Sequence, residues 1–139
     1  MRIVYGDSGY WIALQNTRDE WHERAIRITE RLGNFRIVTS EMVLFEYMNG
    51  VARLGPQSRQ LAVATANLIL SDRTTFDVVR QTSHALEAAI DRYASRLDQR
   101  WGLVDCHSFL IMEERGITDA LAYDHDFEQA GFRALLREY

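Results

Sequence analysis

Short apolar runs alternate along the chain with longer stretches in which apolar residues recur at helical spacing. The brief runs are predicted strands, because each is bounded by turn residues; they cover residues 2–5, 35–38, 76–79 and 120–123. The longer stretches are predicted helices, at residues 19–32, 40–54, 57–70, 83–97 and 105–115, with one or two helical turns at 9–15. A last segment, residues 132–136, is predicted as either a strand or a helix.

Strands separated by helices indicate crossover units in which neighbouring strands run parallel. The sequence therefore predicts an α/β fold with three α/β/α layers, whose central, mainly parallel sheet has four to five short strands and is covered by helices on both faces. In such sheets, ligands bind beyond the carboxyl ends of the strands. Function is therefore sought among the residues at those ends.

Composition narrows the class of protein. The 139 residues predict a single domain over residues 1–139, and the single cysteine excludes an internal disulfide, which favours a reducing, cytoplasmic location. No apolar run is long enough to span a membrane, and the polar turn after the first strand is unlike a signal peptide. All 16 basic residues are arginine, so lysine-based catalysis and phosphate-binding lysines are excluded. The net charge of −4 argues only weakly against nucleic-acid binding.

Four acidic residues lie where a parallel sheet gathers its functional groups. Asp7 follows the first strand, Asp124 follows the fourth, Asp105 opens a predicted helix, and Glu46 lies on a partly apolar helix face. Taken singly, each also suits an ordinary turn, cap or helix-surface role. If they converge, their mutual repulsion requires a cation, and oxygen ligands of this kind suit Mg²⁺ or Mn²⁺. Metal sites of this kind hydrolyse phosphodiesters.

Four segments, taken in order, resemble one family. They are VYGDSGYW at 4–11, VTSEMVLFE at 38–46, WGLVDCHSF at 101–109 and ALAYDHDF at 120–127, followed by Gly131 and Phe132. Each segment is short, but their order and intervals across the chain resemble PIN-domain ribonucleases, and within them the VapC-like toxins of type II toxin–antitoxin systems. The fold implied is a PIN-like domain.

The resemblance implies the site and its partners. It makes Asp7, Glu46, Asp105 and Asp124 a catalytic acidic quartet that holds Mg²⁺, with Mn²⁺ as the other ion, and makes Asp126 a fifth acid. Asp7 and Asp105 would be the primary ligands. The implied activity is hydrolysis of RNA by a metal-activated water. The implied partners are a small cognate antitoxin, whose C-terminal tail occupies the active site, and a second copy of the chain in a homodimer.

RNA must also be held near the acids. Arg92, Arg96 and Arg100 recur every four residues, so they would share one helix face if the helix extended that far, and Ser8 is a further candidate RNA contact. The alternative is that these arginines form a solvated face paired with Asp91 and Asp98.

Two other functions stay open at this level. The Gly6-Asp7-Ser8-Gly9 segment resembles serine esterases with an N-terminal Gly-Asp-Ser block, which would make Ser8 the nucleophile. Such enzymes take their base from a late Asp-x-x-His, and here that pattern occurs only at residues 19–22. His84, His107 and His125 are then the remaining candidate bases. A non-catalytic binding module is the other alternative.

Overall fold

A single five-stranded sheet organises the protein, and the computed structural model describes residues 1–138 of it. The strand order is β3-β2-β1-β4-β5, and every neighbouring pair is parallel. The strands are β1 (Arg2–Gly6), β2 (Phe35–Ser40), β3 (Phe76–Val79), β4 (Asp119–Leu121) and β5 (Arg133–Ala134). The predicted α/β class and parallel sheet are confirmed.

Helices connect the strands and cover the sheet. They are α1 (Ser8–Gln15), α2 (His22–Arg31), α3 (Glu41–Val51), α4 (Pro56–Ser71), α5 (Ser83–Ser95), α6 (Leu103–Arg115), α7 (His125–Gln129) and α8 (Leu135–Glu138), with a 3₁₀ turn, Ala52–Leu54, between α3 and α4. Helix α1 packs on α2, α3 and α4, whereas α5 packs on α6. Within residues 1–138, no helix is both long and apolar enough to cross a membrane.

The first apolar run of the sequence forms β1, the central strand, and this position explains its strongly apolar character. It lies between β2 and β4, and Val4 and Tyr5 are fully buried on its two faces. Tyr5 points towards α6, where its hydroxyl hydrogen-bonds the Ser108 hydroxyl at 2.8 Å. A buried partner is needed here, because an unpaired hydroxyl in the core would be costly. One cluster of buried side chains surrounds β1. The single domain over residues 1–139 stays a prediction, and Tyr139 lies outside the described residues.

Element boundaries differ from the predictions near the site. Helix α6 begins at Leu103, so Asp105 lies inside its first turn and does not precede it. Helix α7 was not predicted; it is a short segment whose first residue follows Asp124. The last segment contains both predicted alternatives, a two-residue strand and then α8.

The prediction that three arginines share one helix face is wrong. Helix α5 ends at Ser95, and the backbone of Arg96 leaves the helical region with φ −133° and ψ 64°. Only Arg92 is helical, and it pairs with Glu113 of α6. The chain turns here because the Arg96 guanidinium makes two hydrogen bonds to Asp98, each 3.0 Å long, and lies over the Trp101 ring. The Arg96–Asp98 pairing is the alternative that the sequence had left open.

Candidate metal centre

The end of β1 is held between its two neighbouring strands, and this fixes Asp7. The Asp7 amide donates to the Leu121 carbonyl of β4 at 3.1 Å. On the other side, the Thr39 hydroxyl of β2 donates to the Gly6 carbonyl at 2.8 Å. Asp7 then caps α1 with extended backbone and is only 6% exposed. A carboxylate is therefore buried at the carboxyl edge of the sheet.

Two further elements bring carboxylates to the same edge. On α6, Asp105 Oδ2 accepts from the Gly102 amide at 3.1 Å, which orients the side chain in the first helical turn. After β4, Asp124 caps α7, and its Oδ1 accepts from the Asp126 amide at 3.0 Å. One carboxylate oxygen from each of Asp105, Asp124 and Asp126 lies within 4.8 Å of the other two. Asp126, predicted as a fifth acid, thus belongs to the most tightly grouped set.

Burial and like charge raise the pKa of Asp7 well above its ordinary value. Burial is the largest cause, and the charges of Asp105, Glu46 and then Asp124 add to it. Its Oδ1 atom is buried and has no hydrogen-bond partner within residues 1–138. Buried carboxylate oxygens are normally paired or bound to a cation, so this oxygen lacks the partner that its environment calls for.

The same causes act on the other acids of the group. Burial, together with the charges of Asp124, Glu46 and Asp126, raises the pKa of Asp105 to about 7, although the Gly102 hydrogen bond opposes the shift. Burial and then Asp124 raise the pKa of Asp126, whereas Arg100 acts in the opposite direction. Of the three arginines predicted to bind RNA, Arg100 is therefore close enough to affect an acid of this group.

Glu46, on α3, is the remaining acid of the group, and its exposure differs from the prediction. The sequence suggested a partly buried glutamate, but Glu46 is exposed, because it lies with Phe45 on the side of α3 that faces the solvent. Its charge still raises the pKa values of Asp7 and Asp105. Ser8, 6% exposed, donates its hydroxyl to the Glu46 carboxylate and so holds it towards the start of α1.

That hydrogen bond bears on the esterase alternative. A serine nucleophile needs a base, most often histidine, at its hydroxyl. In the described part of the chain the Ser8 hydroxyl donates to a carboxylate, and no hydrogen bond joins it to a histidine. The geometry lacks the Ser–His pair that the esterase requires.

Comparison with known proteins identifies the family. A profile described as PIN domain matches residues 4–133. The chain belongs to the PIN domain family. Curated relatives are the 23S rRNA-specific endonucleases VapC20 of Mycobacterium tuberculosis strains CDC 1551 and H37Rv, each 32% identical to this PIN domain over 130 residues, which are 94% of this chain and 95% of the relative.

Solved structures agree with the fold of this PIN domain. The crystal structure of M. tuberculosis VapC20, described as a Sarcin-Ricin loop cleaving toxin, matches with a TM-score of 0.83 and 30% identity over 94% of this chain and 97% of that one. VapBC2 from Rickettsia felis, solved with a promoter DNA fragment, shares the fold with a TM-score of 0.59 and 12% identity, covering 93% of each chain. The predicted PIN-like fold, the resemblance to VapC-like toxins and the assignment to the metal-dependent nucleases are confirmed.

The residues of this PIN domain suit a hard divalent cation. The donor set is made of carboxylates, one buried oxygen lacks a partner, and no ion pair joins Asp7, Glu46, Asp105, Asp124 or Asp126 to an arginine within residues 1–138. Oxygen ligands are those that Mg²⁺ and Mn²⁺ prefer. A bound ion would offset the repulsion that raises the pKa values of Asp7 and Asp105.

A bulky side chain, Tyr123, lies beside the site in this PIN domain, directly before Asp124 in the sequence. The Tyr123 ring lies beside the acids, and burial, followed by the charges of Asp19, Asp7 and Asp124, raises the pKa of its hydroxyl. Its position directly before Asp124 was the available signal, but a tyrosine at the end of a strand is also typical of a core residue. The contribution of Asp19, far from Asp124 in sequence, had no signal at all.

The raised pKa of Asp105 predicts how stability depends on pH without metal. The folded pKa, about 7, exceeds the ordinary value of 3.8, so the folded state holds the extra proton between these limits and loses stability as pH rises through them. In EDTA, Asp105→Asn should therefore melt at a higher temperature than the parent at pH 8, with little difference at pH 4. Scanning calorimetry from pH 4 to 8 measures this difference; one that does not grow with pH would contradict the assignment.

Proposed function

We propose that this PIN domain is the endoribonuclease toxin of a toxin–antitoxin pair, which hydrolyses phosphodiester bonds in RNA with the help of Mg²⁺ or Mn²⁺. The observation that carries the proposal is the convergence of carboxylates from β1, α6 and the β4–α7 junction at one edge of the sheet, with a buried Asp7 oxygen that has no hydrogen-bond partner among the described residues. Such a group of like charges lowers stability unless a cation is bound, which is typical of a functional site.

The acidic residues and Ser8 have different proposed roles in catalysis. Asp7 and Asp105 would hold the ion as primary ligands, and Asp124, Asp126 and Glu46 would hold a second ion or the waters around it. A divalent ion supplies a water of lowered pKa and offsets the charge that develops on the phosphate oxygens. Ser8 orients the Glu46 carboxylate, which would accept a proton from a bound water. Direct contact between Ser8 and RNA remains a prediction.

The names of the relatives support a more specific proposal for the RNA substrate. VapC20 is named for its action on 23S rRNA, and its structure for cleavage of the sarcin–ricin loop. We infer that this chain also cuts ribosomal RNA within an exposed loop, where a single strand can enter a shallow acidic site. The enzyme would then act in the cytoplasm, and a cognate antitoxin would control it by placing its C-terminal tail over the acids.

Cleavage of purified ribosomal RNA tests the function. The parent should cut at discrete positions with Mg²⁺ or Mn²⁺ and should lose activity in EDTA, because the acids cannot position a phosphodiester without an ion. Asp7→Asn and Asp105→Asn should each lower the rate by at least about a hundredfold, since loss of one ligand weakens metal binding and catalysis together. Mapping of the cut ends by primer extension gives the positions.

Asp91→Asn is the matched control for those two variants. Asp91 is an exposed aspartate on α5 that does not belong to the acidic group, and the change should leave cleavage at the parent rate. Cutting by Asp105→Asn at the parent rate would show that Asp105 is not a ligand. Metal-independent cutting by the parent would refute the mechanism.

Among the arginines proposed to hold RNA, Arg100 has the best support. Arg92 is paired with Glu113 and Arg96 with Asp98, so RNA would have to compete for their guanidinium groups. Arg100 forms no ion pair within the described residues, and it lies near Asp126. A phosphate that approaches the acids would therefore meet Arg100 before the other two.

Salt dependence separates these arginines. Arg100→Gln should weaken RNA binding and lower the slope of log K against log salt by about one unit, because one phosphate contact is lost. Arg96→Gln should change the slope less. Fluorescence anisotropy with Asp105→Asn protein, which binds without cutting, measures both. A slope that Arg100→Gln leaves unchanged eliminates Arg100 as a phosphate contact.

The homodimer is also proposed. Its support is an apolar stripe on and just beyond α5, formed by Leu86, Ile90, Tyr93 and Leu97, which are 41–82% exposed. Sedimentation equilibrium should give twice the chain mass of 16.1 kDa. Ile90→Glu should shift the protein towards the monomer, because it places a charge in the apolar contact, whereas Glu87→Gln on the same helix should not. A monomeric parent at high concentration would refute the dimer.

A further inference from the structure

Tyr123 forms one wall of the acidic site, and its ring is fixed from two sides. On one side it stacks on Trp21, with ring centroids 5.1 Å apart and planes 21° apart. Trp21 is itself held, since its amide donates to Asp19 Oδ1 at 2.8 Å and the Arg24 guanidinium lies 5.1 Å from its ring centroid. Such stacked rings have a preferred geometry and little freedom to rotate.

On another side the Tyr123 ring lies directly against the first turn of α1. A Cβ atom on Gly9 would come within 2.7 Å of Tyr123 Cε2, so only glycine allows this approach. Gly9 follows Asp7 and Ser8, the residues that begin α1. The ring is therefore packed against the same helical turn that carries the buried carboxylate.

The hydroxyl of this fixed ring has no partner in the part of the chain that the structure describes. Tyr123 is only partly buried, and no hydrogen bond to its hydroxyl occurs within residues 1–138, although Asp7 and Asp124 are close enough to act on it electrostatically. A phenol is a protonated donor at neutral pH. It is also uncharged, so it can donate to a phosphate or ribose oxygen without competing with the metal for the carboxylates.

We propose that Tyr123 is a substrate-positioning residue, whose hydroxyl donates a hydrogen bond to a backbone oxygen of the RNA nucleotide beside the scissile phosphodiester. The proposal rests on the proposed ribonuclease function. Because Trp21 and Gly9 hold the ring in place before RNA arrives, little side-chain entropy is lost when the hydrogen bond forms. The same rigidity sets the width of the entrance next to Asp124.

Tyr123→Phe isolates the hydroxyl, because phenylalanine keeps the stack on Trp21 and the packing against Gly9. A hydrogen bond to a charged group corresponds to roughly a tenfold change in binding. We expect KM for the RNA to rise about tenfold with kcat within about threefold of the parent, since the contact exists in both the bound and the transition state. RNA affinity measured in the Asp105→Asn background should fall by the same factor.

The controls separate this role from a structural one. Asp91→Asn, the exposed change on α5 that serves as the control for cleavage, should change neither constant. Calorimetric titration with Mn²⁺ should give the same affinity for Tyr123→Phe and the parent. A KM equal to the parent's, or a loss of RNA affinity matched by a loss of Mn²⁺ affinity, overturns the role of Tyr123 alone. A parent that cuts no RNA with either metal overturns the ribonuclease function and this proposal together.

Discussion

Repulsion between carboxylates at one edge of the sheet is the constraint on which the site depends. Parallel strands end at the same edge, so the topology that buries β1 also brings Asp7 and the β4–α7 junction together, and α6 adds Asp105. Burial of Asp7 prevents water from screening these charges. The apolar core offsets this cost, because each large apolar side chain buried there contributes about 1.5–3 kcal/mol to stability.

The arginines do not neutralise the acids of the site, so a metal ion is left to do so. Outside the site, acids pair with arginines: Asp77 binds Arg36 and Arg115, and Asp119 binds Arg2 and Arg133. The five acids of the site form no such pair in the part of the chain that the structure describes. With no lysine in the sequence and these arginines committed elsewhere, an external divalent cation is the partner that best suits the site.

Local patterns in the sequence predict the fold and much of the site. The predictions that failed did so for physical reasons. Strand ends predicted the places of Asp7 and Asp124, because parallel topology depends on the order of elements. Asp105 was a candidate as the start of a helix and Glu46 as an acid on a partly apolar helix face, but the family resemblance was needed to group them with Asp7 and Asp124, since a helix surface offers many equivalent positions. The arginine stripe failed because α5 ends at Ser95, where Arg96 turns to Asp98 and Trp101. The sequence offered Asp98 as a partner of the arginines, but it did not show where the helix would end. The stacking of Tyr123 on Trp21 joins residues about a hundred positions apart, which spacing alone could not reveal.

Proton binding and metal binding are opposed at this site, and this links stability to function. With a pKa of about 7, Asp105 holds a proton for part of the time at neutral pH, and a cation must displace that proton to bind. Metal affinity should therefore rise with pH through this range, while the stability of the metal-free protein falls. Both trends come from the burial of Asp7 and Asp105 and from the repulsion between the charges of the site. A substitution that relieves the repulsion should stabilise the fold and weaken the metal site together, which is the trade-off expected where a fold keeps like charges together for catalysis.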